Sequence, residues 1–272
     1  MNRILLCILG TGFLMCVSCA KNHDKKKSEV KLFQEIYNAD WKKVFHDSCT
    51  QNWKERWTLD GLKAKVRNSA KGMSLLAGPT AGDNSCHAVL WTKQNFKGDI
   101  KIEYEYTRLD KATNFVTILY VQATGTGIGQ YKKDISKWSG IRNVPFMRTY
   151  FDNMNTYHIS YAAYGTKNID PVEDYIRARR YMPLAKKGLK GTELKPDYFR
   201  TGFFKTEVPH KITVIKKGKD LFMHIRNDEK ELLCHWENQS LPPIDEGRIG
   251  LRHMYTRKAR YSNFRIYKHK KE

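Results

Sequence analysis

The sequence predicts an all-β sandwich of two antiparallel sheets. Three observations carry that expectation. Short apolar or alternating runs recur through residues 73–267, separated by Gly, Asn, Asp and Pro at the spacing of a sandwich or barrel. Residues 99–107 alternate strictly, with Ile100, Ile102, Tyr104 and Tyr106 on one face and Lys101, Glu103, Glu105 and Thr107 on the other. No internal repeat and no long helix of amphipathic period competes with this pattern.

Each element can be justified in order. Arg3, an apolar run over residues 4–17 and Ser18-Cys19-Ala20 have the order of a secretory signal peptide, expected over residues 1–18. The run is shorter than the roughly 20 apolar residues that cross a bilayer. Cys16-Val17-Ser18-Cys19 resembles a bacterial lipobox, which makes Cys19 the expected lipidation site. Residues 19–29 then read as a basic, lipid-anchored tether, whose charge favours anionic headgroups. The absence of acidic residues directly after Cys19 points to an outer-membrane lipoprotein facing the periplasm.

Residues 30–272 are expected to form one domain. Leu32, Phe33, Ile36, Trp41, Val44 and Phe45 make a short helix or an N-terminal strand. Strands follow at 73–77, 87–92, 99–107, 115–123, 157–164, 210–216, 221–226, 248–254 and 261–267. Of these, 115–123 is almost continuously apolar and should be buried on both faces. Lys216-Lys217-Gly218-Lys219-Asp220 is a hairpin turn. The Gly-rich run from Gly125 to Gly129 opens no helix, so it reads as a loop over a binding face rather than a phosphate cradle.

Charge narrows the partner. With 49 Lys and Arg against 28 Asp and Glu, the formal net charge is +21, which implies an anionic partner unless the charge is simply solvated surface. Export argues against nucleic acid and for an acidic, uronate-bearing or sulfated polysaccharide or oligosaccharide. Beyond Cys19, Cys49, Cys86 and Cys234 remain, with no CxxC spacing and no zinc pattern. They allow one disulfide plus a free thiol or three reduced cysteines.

A family resemblance rests on two stretches. Phe96-Lys97-Gly98-Asp99 leads into Ile100-Lys101-Ile102-Glu103-Tyr104, and Gly247-Arg248-Ile249-Gly250-Leu251-Arg252 precedes Asn263-Phe264-Arg265-Ile266. Together they resemble the YesU-like family (domain of unknown function 1961), covering most of residues 50–268. The resemblance implies a concanavalin-like jelly roll, often found with polysaccharide-degrading enzymes, whose curved sheet forms a groove for a sugar chain. Calcium is common in such sandwiches, and Asp83-Asn84 is the one place to look for it; no other cofactor is expected.

Three chemistries are open. A polysaccharide lyase needs a cation for the uronate carboxylate and an acid–base pair for the C5 proton and the leaving oxygen. Arg148, Arg177, Arg179, Arg252 and His253 are the candidate anion contacts, and His158 with Tyr161 the candidate acid and base. His158 and Tyr161 fall on opposite faces of a regular strand, so they can act together only across a bulge. Arg252, opposite in parity to Ile249 and Leu251, should leave the core side. A glycoside hydrolase would instead use Glu103 and Glu105, which share a face at i and i+2. A glycan-binding lipoprotein without turnover would present aromatic platforms, with Trp138 the one expected at the surface. The segments 141–152 and 169–200 are long enough to block or shape a groove.

Overall fold

The computed structural model describes residues 11–185 and 188–270 and divides into two compact units, residues 1–39 and 40–272. The first holds one helix, α1 (Thr11–Tyr37). Ion pairs at i and i+4 line it, Lys25 with Glu29 and Lys31 with Glu35, a spacing that supports a helix. The stretch expected as a tether is therefore helical rather than open chain. Residues 1–10 and the Cys19 side chain, on which the signal and lipidation expectations rest, lie outside what is described. Among the described residues no helix is long and apolar enough to cross a membrane.

The second unit is the sandwich. Its strands begin with β1 (Trp41–Asp47), β2 (Trp57–Asp60), β3 (Lys65–Ser69), β4 (Gly72–Leu76) and β5 (His87–Thr92). Next come β6 (Phe96–Lys97), β7 (Ile100–Arg108), β8 (Thr117–Gly125), β9 (Met154–Ala163) and β10 (Tyr175–Tyr181). The chain closes with β11 (Glu193–Phe199), β12 (Pro209–Lys217), β13 (Asp220–Arg226), β14 (Glu231–Glu237), β15 (Glu246–Met254) and β16 (Lys258–His269). A one-and-a-half-turn helix, α2 (Met147–Phe151), sits between β8 and β9.

Sheet I has the order β14-β13-β12-β7-β16-β4-β3, with β1 also on β16. Sheet II runs β11-β10-β9-β8-β15-β5-β2, with β6 on β15. All the pairings are antiparallel, which confirms the jelly-roll expectation. Between the sheets lies a core that takes Ile100, Ile102, Tyr104 and Tyr106 from β7, as their alternation predicts. Opposite them stand Leu119, Val121, Tyr157, Ile159 and Leu251 from sheet II. Gly218 has a φ of 55°, the left-handed conformation that a two-residue hairpin loop between β12 and β13 requires.

A second apolar cluster lies on the other side of sheet II. Ile118 and Tyr120 of β8, Val89 and Trp91 of β5 and Tyr181 of β10 pack there against Ile135, Trp138 and Tyr150. The last three come from residues 126–153, the connection between β8 and β9. This explains why β8 is continuously apolar from Ile118 to Val121: it has a covered face on both sides. It also places the Gly-rich run at the root of a segment that lies over sheet II.

The segment 169–200, expected as a groove-shaping loop, instead builds β10 and β11 and widens sheet II. Its inward residues Ile176 and Ala178 are too few and too small to have signalled a strand among the arginines. Pro196 is accommodated because β11 is an edge strand. Cys49, Cys86 and Cys234 are free and buried, so no disulfide forms among them. Asp83, the calcium candidate, bonds Lys63 and Ser85 instead, and among the described residues no cluster of three metal-ligating side chains occurs.

Candidate functional site

Strand register places the site on the covered face of sheet II. Directly opposed residues share a face, and two such rows cross six strands. One row runs Asp60, Val89, Arg252, Ile118, Ser160 and Arg177 from β2 to β10. The next runs Thr58, Trp91, Gly250, Tyr120, His158 and Arg179. Polar and charged side chains are thus gathered on a face that is otherwise apolar and buried.

Gly250 is part of this construction. A Cβ there would sit 2.4 Å from the Trp91 ring, so only glycine lets the indole lie flat across β15. Trp91 then stacks on Tyr120 and donates its Nε1–H to Asp60 Oδ2 at 2.6 Å.

Arg252 is wholly buried at the centre. Its Nη2 donates to His87 Nδ1 at 2.5 Å and to the Pro145 carbonyl at 2.7 Å, and its guanidinium lies 4.7 Å from the centre of the Tyr150 ring. Its Nε and Nη1 have no hydrogen-bond partner. Since a guanidinium only donates, His87 Nδ1 must accept, which puts the imidazole proton on Nε2. Burial and Arg252 push the His87 pKa down to about 3, so the ring is neutral. Its Nε2–H also lacks a partner, as do Arg142 Nε and Nη1, while the Tyr120 hydroxyl lies against Arg252 and can accept from it. The cluster is rich in donors and poor in acceptors. That is the composition of a seat for an anion.

Beside it, His158 Nδ1 is hydrogen-bonded to the Tyr181 hydroxyl and Nε2 to Ser160 Oγ at 2.6 Å. Burial, then the charges of Arg179, Arg252 and Arg177, hold the His158 pKa well below its usual range. A neutral imidazole between two hydroxyls can accept a proton on one side and pass one on the other. Burial holds the Tyr181 hydroxyl well above the ordinary tyrosine range. Tyr120 lies edge-on to His158, 5.8 Å between ring centres, and joins this trio to the anion seat.

The site keeps some expected residues and excludes others. His158 and Arg252 share the covered face, with Arg177 and Arg179 on its rim, held by Asp197 and Glu193. Tyr161 does not: it points into the core between the sheets, against Tyr106 and Phe204. The backbone irregularity falls at Ala162, with φ 47°, one residue too late to turn Tyr161 over. Tyr181 from the neighbouring strand takes the place beside His158 that Tyr161 was expected to hold.

His253 also faces the inter-sheet core, where Nε2 meets the Tyr261 hydroxyl at 2.7 Å. Trp138, expected at the surface, is 1% exposed and donates to the Lys132 carbonyl at the base of the covering segment. Arg148 is on the outer side of α2, paired with Asp152. Glu103 and Glu105 are on the outer face of sheet I, Glu103 near Lys101 and Glu105 accepting from Ser262. Glu105 lines a cavity of about 380 Å³ there with His210 and Arg226, but Glu103 does not. The two acids therefore do not form a flanking pair.

The sequence shows Tyr150 and Tyr181 beside Arg148 and Arg179 in its Arg- and Tyr-rich stretches, without giving either a role. It gives no sign of Asp60, His87, Tyr120 or Arg142. Arg142 reaches the site from a segment without period.

Comparison with known proteins fits this architecture. A family model described as a domain of unknown function (DUF1961) matches residues 48–266. A search of curated proteins finds no match. Among solved structures, the chain is similar to a Bacillus subtilis protein of unknown function with a galectin-like fold, at 16% identity, covering 84% of this chain and 98% of that one, TM-score 0.61. It is also similar to lectin II from Ulex europaeus, at 7% identity over 82% and 96% of the two chains, TM-score 0.53. The lumenal domain of VIP36 in its Ca2+/Man3GlcNAc-bound form is similar at 12% identity over 84% and 89%, TM-score 0.51. At these identities the likeness establishes a lectin-like jelly roll and no more.

Proposed function

The chain belongs to the DUF1961 family, and from that premise we propose that it is an exported, carbohydrate-active lipoprotein, anchored through Cys19 and acting on an acidic glycan. The covered face of sheet II is its site. The observation that carries this reading is Arg252: a wholly buried guanidinium with two N–H groups unmet, beside the unmet Nε2–H of His87. Leaving buried donors unmade costs about 1–3 kcal/mol each, a cost that a carboxylate or sulfate would remove.

The neighbouring trio supports cleavage by β-elimination. With a uronate carboxylate on Arg252, the C5 proton becomes acidic. His158 Nδ1–H donates to Tyr181, so its Nε2 lone pair takes that proton through Ser160 Oγ, which gives its own proton to Nε2 as it receives the one from C5. The bond from C4 to the glycosidic oxygen breaks, and Tyr181 protonates the departing oxygen. One fragment keeps a C4=C5 double bond. The proton gained by His158 returns to Tyr181 through the hydrogen bond that joins them. Arg177 and Arg179 on the rim would hold the next anionic sugar.

The test is incubation with uronate-bearing and sulfated glycans, following ultraviolet absorbance of an unsaturated uronate together with reducing ends. Rising absorbance that His158→Ala abolishes is the expected result. Reducing ends without absorbance would overturn β-elimination. Retention of a glycan with neither signal would leave binding without turnover, the second reading, which the lectin-like fold favours.

A further inference from the structure

We propose that residues 141–152 form a lid over the anion seat and that Asp60 is the positioning residue that holds it shut. The geometry is local. Asp60, at the end of β2, is buried, and its Oδ2 receives the Tyr150 hydroxyl at 3.0 Å and Trp91 Nε1 at 2.6 Å. Arg142 Nε forms an ion pair with the same oxygen at 3.2 Å, without the alignment of a hydrogen bond. Two of those three groups belong to the segment 141–152. Its one other hydrogen bond to a strand of sheet II, among the described residues, is Pro145 to Arg252. Its hydrogen-bonding and ionic contacts to sheet II are therefore made at two points, both charged groups of the site it covers, and Tyr150 and Phe151 add ring contacts to Trp91, Tyr120 and Tyr181.

Two features mark it as a cover rather than permanent core. Val144 and Phe146 are exposed, so the segment leaves part of its apolar surface outside. The donors beneath it, Arg252 Nε and Nη1 and His87 Nε2, have no partner while it is shut. A ligand that satisfies them has to pass this segment. The inference draws on the site proposed above only for what is admitted; the latch is independent of the glycan.

The latch carries a pH dependence whose sign follows from linkage. Asp60 is faced by Arg142 and Tyr150 from the lid, by Trp91 from β5 and by Arg252 from β15. Burial outweighs the two arginines and raises its pKa from 3.8 to about 6. In the open form the carboxylate returns to water and to its ordinary value. The closed form therefore binds the proton more tightly, so closure is favoured as pH falls through 6 and opening is favoured above it. About two units of difference allow a change in the opening equilibrium of up to about a hundredfold.

Hydrogen exchange of the full chain, followed by mass spectrometry over residues 141–152 and corrected for the chemical exchange rate, tests this without any glycan. The wild type should open these amides more readily at pH 8 than at pH 5. Asp60→Asn, which keeps an acceptor without a charge, should exchange slowly at both. Asp60→Ala should exchange at least about tenfold faster at both pH values. If Asp60→Ala fails to fold, Tyr150→Phe serves: it removes one lid fastening and should raise exchange over 141–152 while leaving β8 and β9 unchanged. Exchange of the segment only in step with β8 and β9, opening that increases toward low pH, or no response to Tyr150→Phe would each overturn the proposal.

Discussion

Replacing Arg252 by Met separates an anion seat from a structural arginine. The substitution removes a buried charge and keeps an unbranched apolar chain of similar reach. It loses the hydrogen bonds to His87 and Pro145, worth about 1.5–3 kcal/mol each for a charged donor. The contact with Tyr150 adds up to about 2 kcal/mol. Against that, it relieves two unmet N–H groups at about 1–3 kcal/mol each. It also lifts the desolvation penalty of a buried charge, several kcal/mol before pairing is counted. The terms nearly cancel, so unfolding by urea should shift by no more than about 2 kcal/mol. Breaking a buried arginine that is fully paired would cost about 3–5 kcal/mol. Affinity for a uronate oligosaccharide, read by calorimetry, should fall by about 2–5 kcal/mol, the range for truncating one partner of a buried charged contact. A variant destabilised by more than about 4 kcal/mol with unchanged affinity would refute the reasoning.

Other expectations follow from the same geometry. Tyr181→Phe should lower turnover on a uronate substrate by about 100-fold or more while leaving its binding within a few fold, and Tyr161→Phe should lower neither. Glu103→Gln and Glu105→Gln should retain full turnover, since both acids lie on sheet I, away from His158. Gly250→Ala should cost about 1–3 kcal/mol of stability, because its Cβ meets the Trp91 ring, and should shift tryptophan fluorescence. Stability should decline as pH falls below about 6.5, because burial lowers His253 and His210 to about 4 and His87 to about 3. The unfolded chain then binds protons that the fold does not. Asp60 acts in the opposite sense between pH 6 and 3.8, so Asp60→Asn should steepen the loss over that interval.

The sandwich was legible because its signal is local. Alternation in β7 and the continuous run of β8 each follow from which faces are covered, and both read directly as pattern. β10 and β11 were hidden because their side chains of strongest character are charged: Arg177, Arg179 and Asp197 are held by cross-strand ion pairs, which hydrophobic period does not register. The site was half legible for a related reason. Parity along a single strand was enough to set His158 apart from Tyr161 and to turn Arg252 away from Leu251. It could not supply the partners, because Asp60, Trp91 and Arg252 meet only through the register of β2, β5 and β15. Trp138 was misplaced because exposure was judged from its polar neighbours, whereas the segment folds its indole beneath them onto Tyr131 and the Lys132 carbonyl.

The central claim is that an acidic glycan occupies the covered face of sheet II. Its most direct test is a titration of the 15N-histidine-labelled protein with a uronate-bearing oligosaccharide, observed by nuclear magnetic resonance. The account predicts that the His87 and His158 ring nitrogens shift in a saturable way while His210 and His253, in other parts of the fold, do not. Saturable binding that leaves His87 and His158 unmoved would contradict it and place the ligand elsewhere on the molecule.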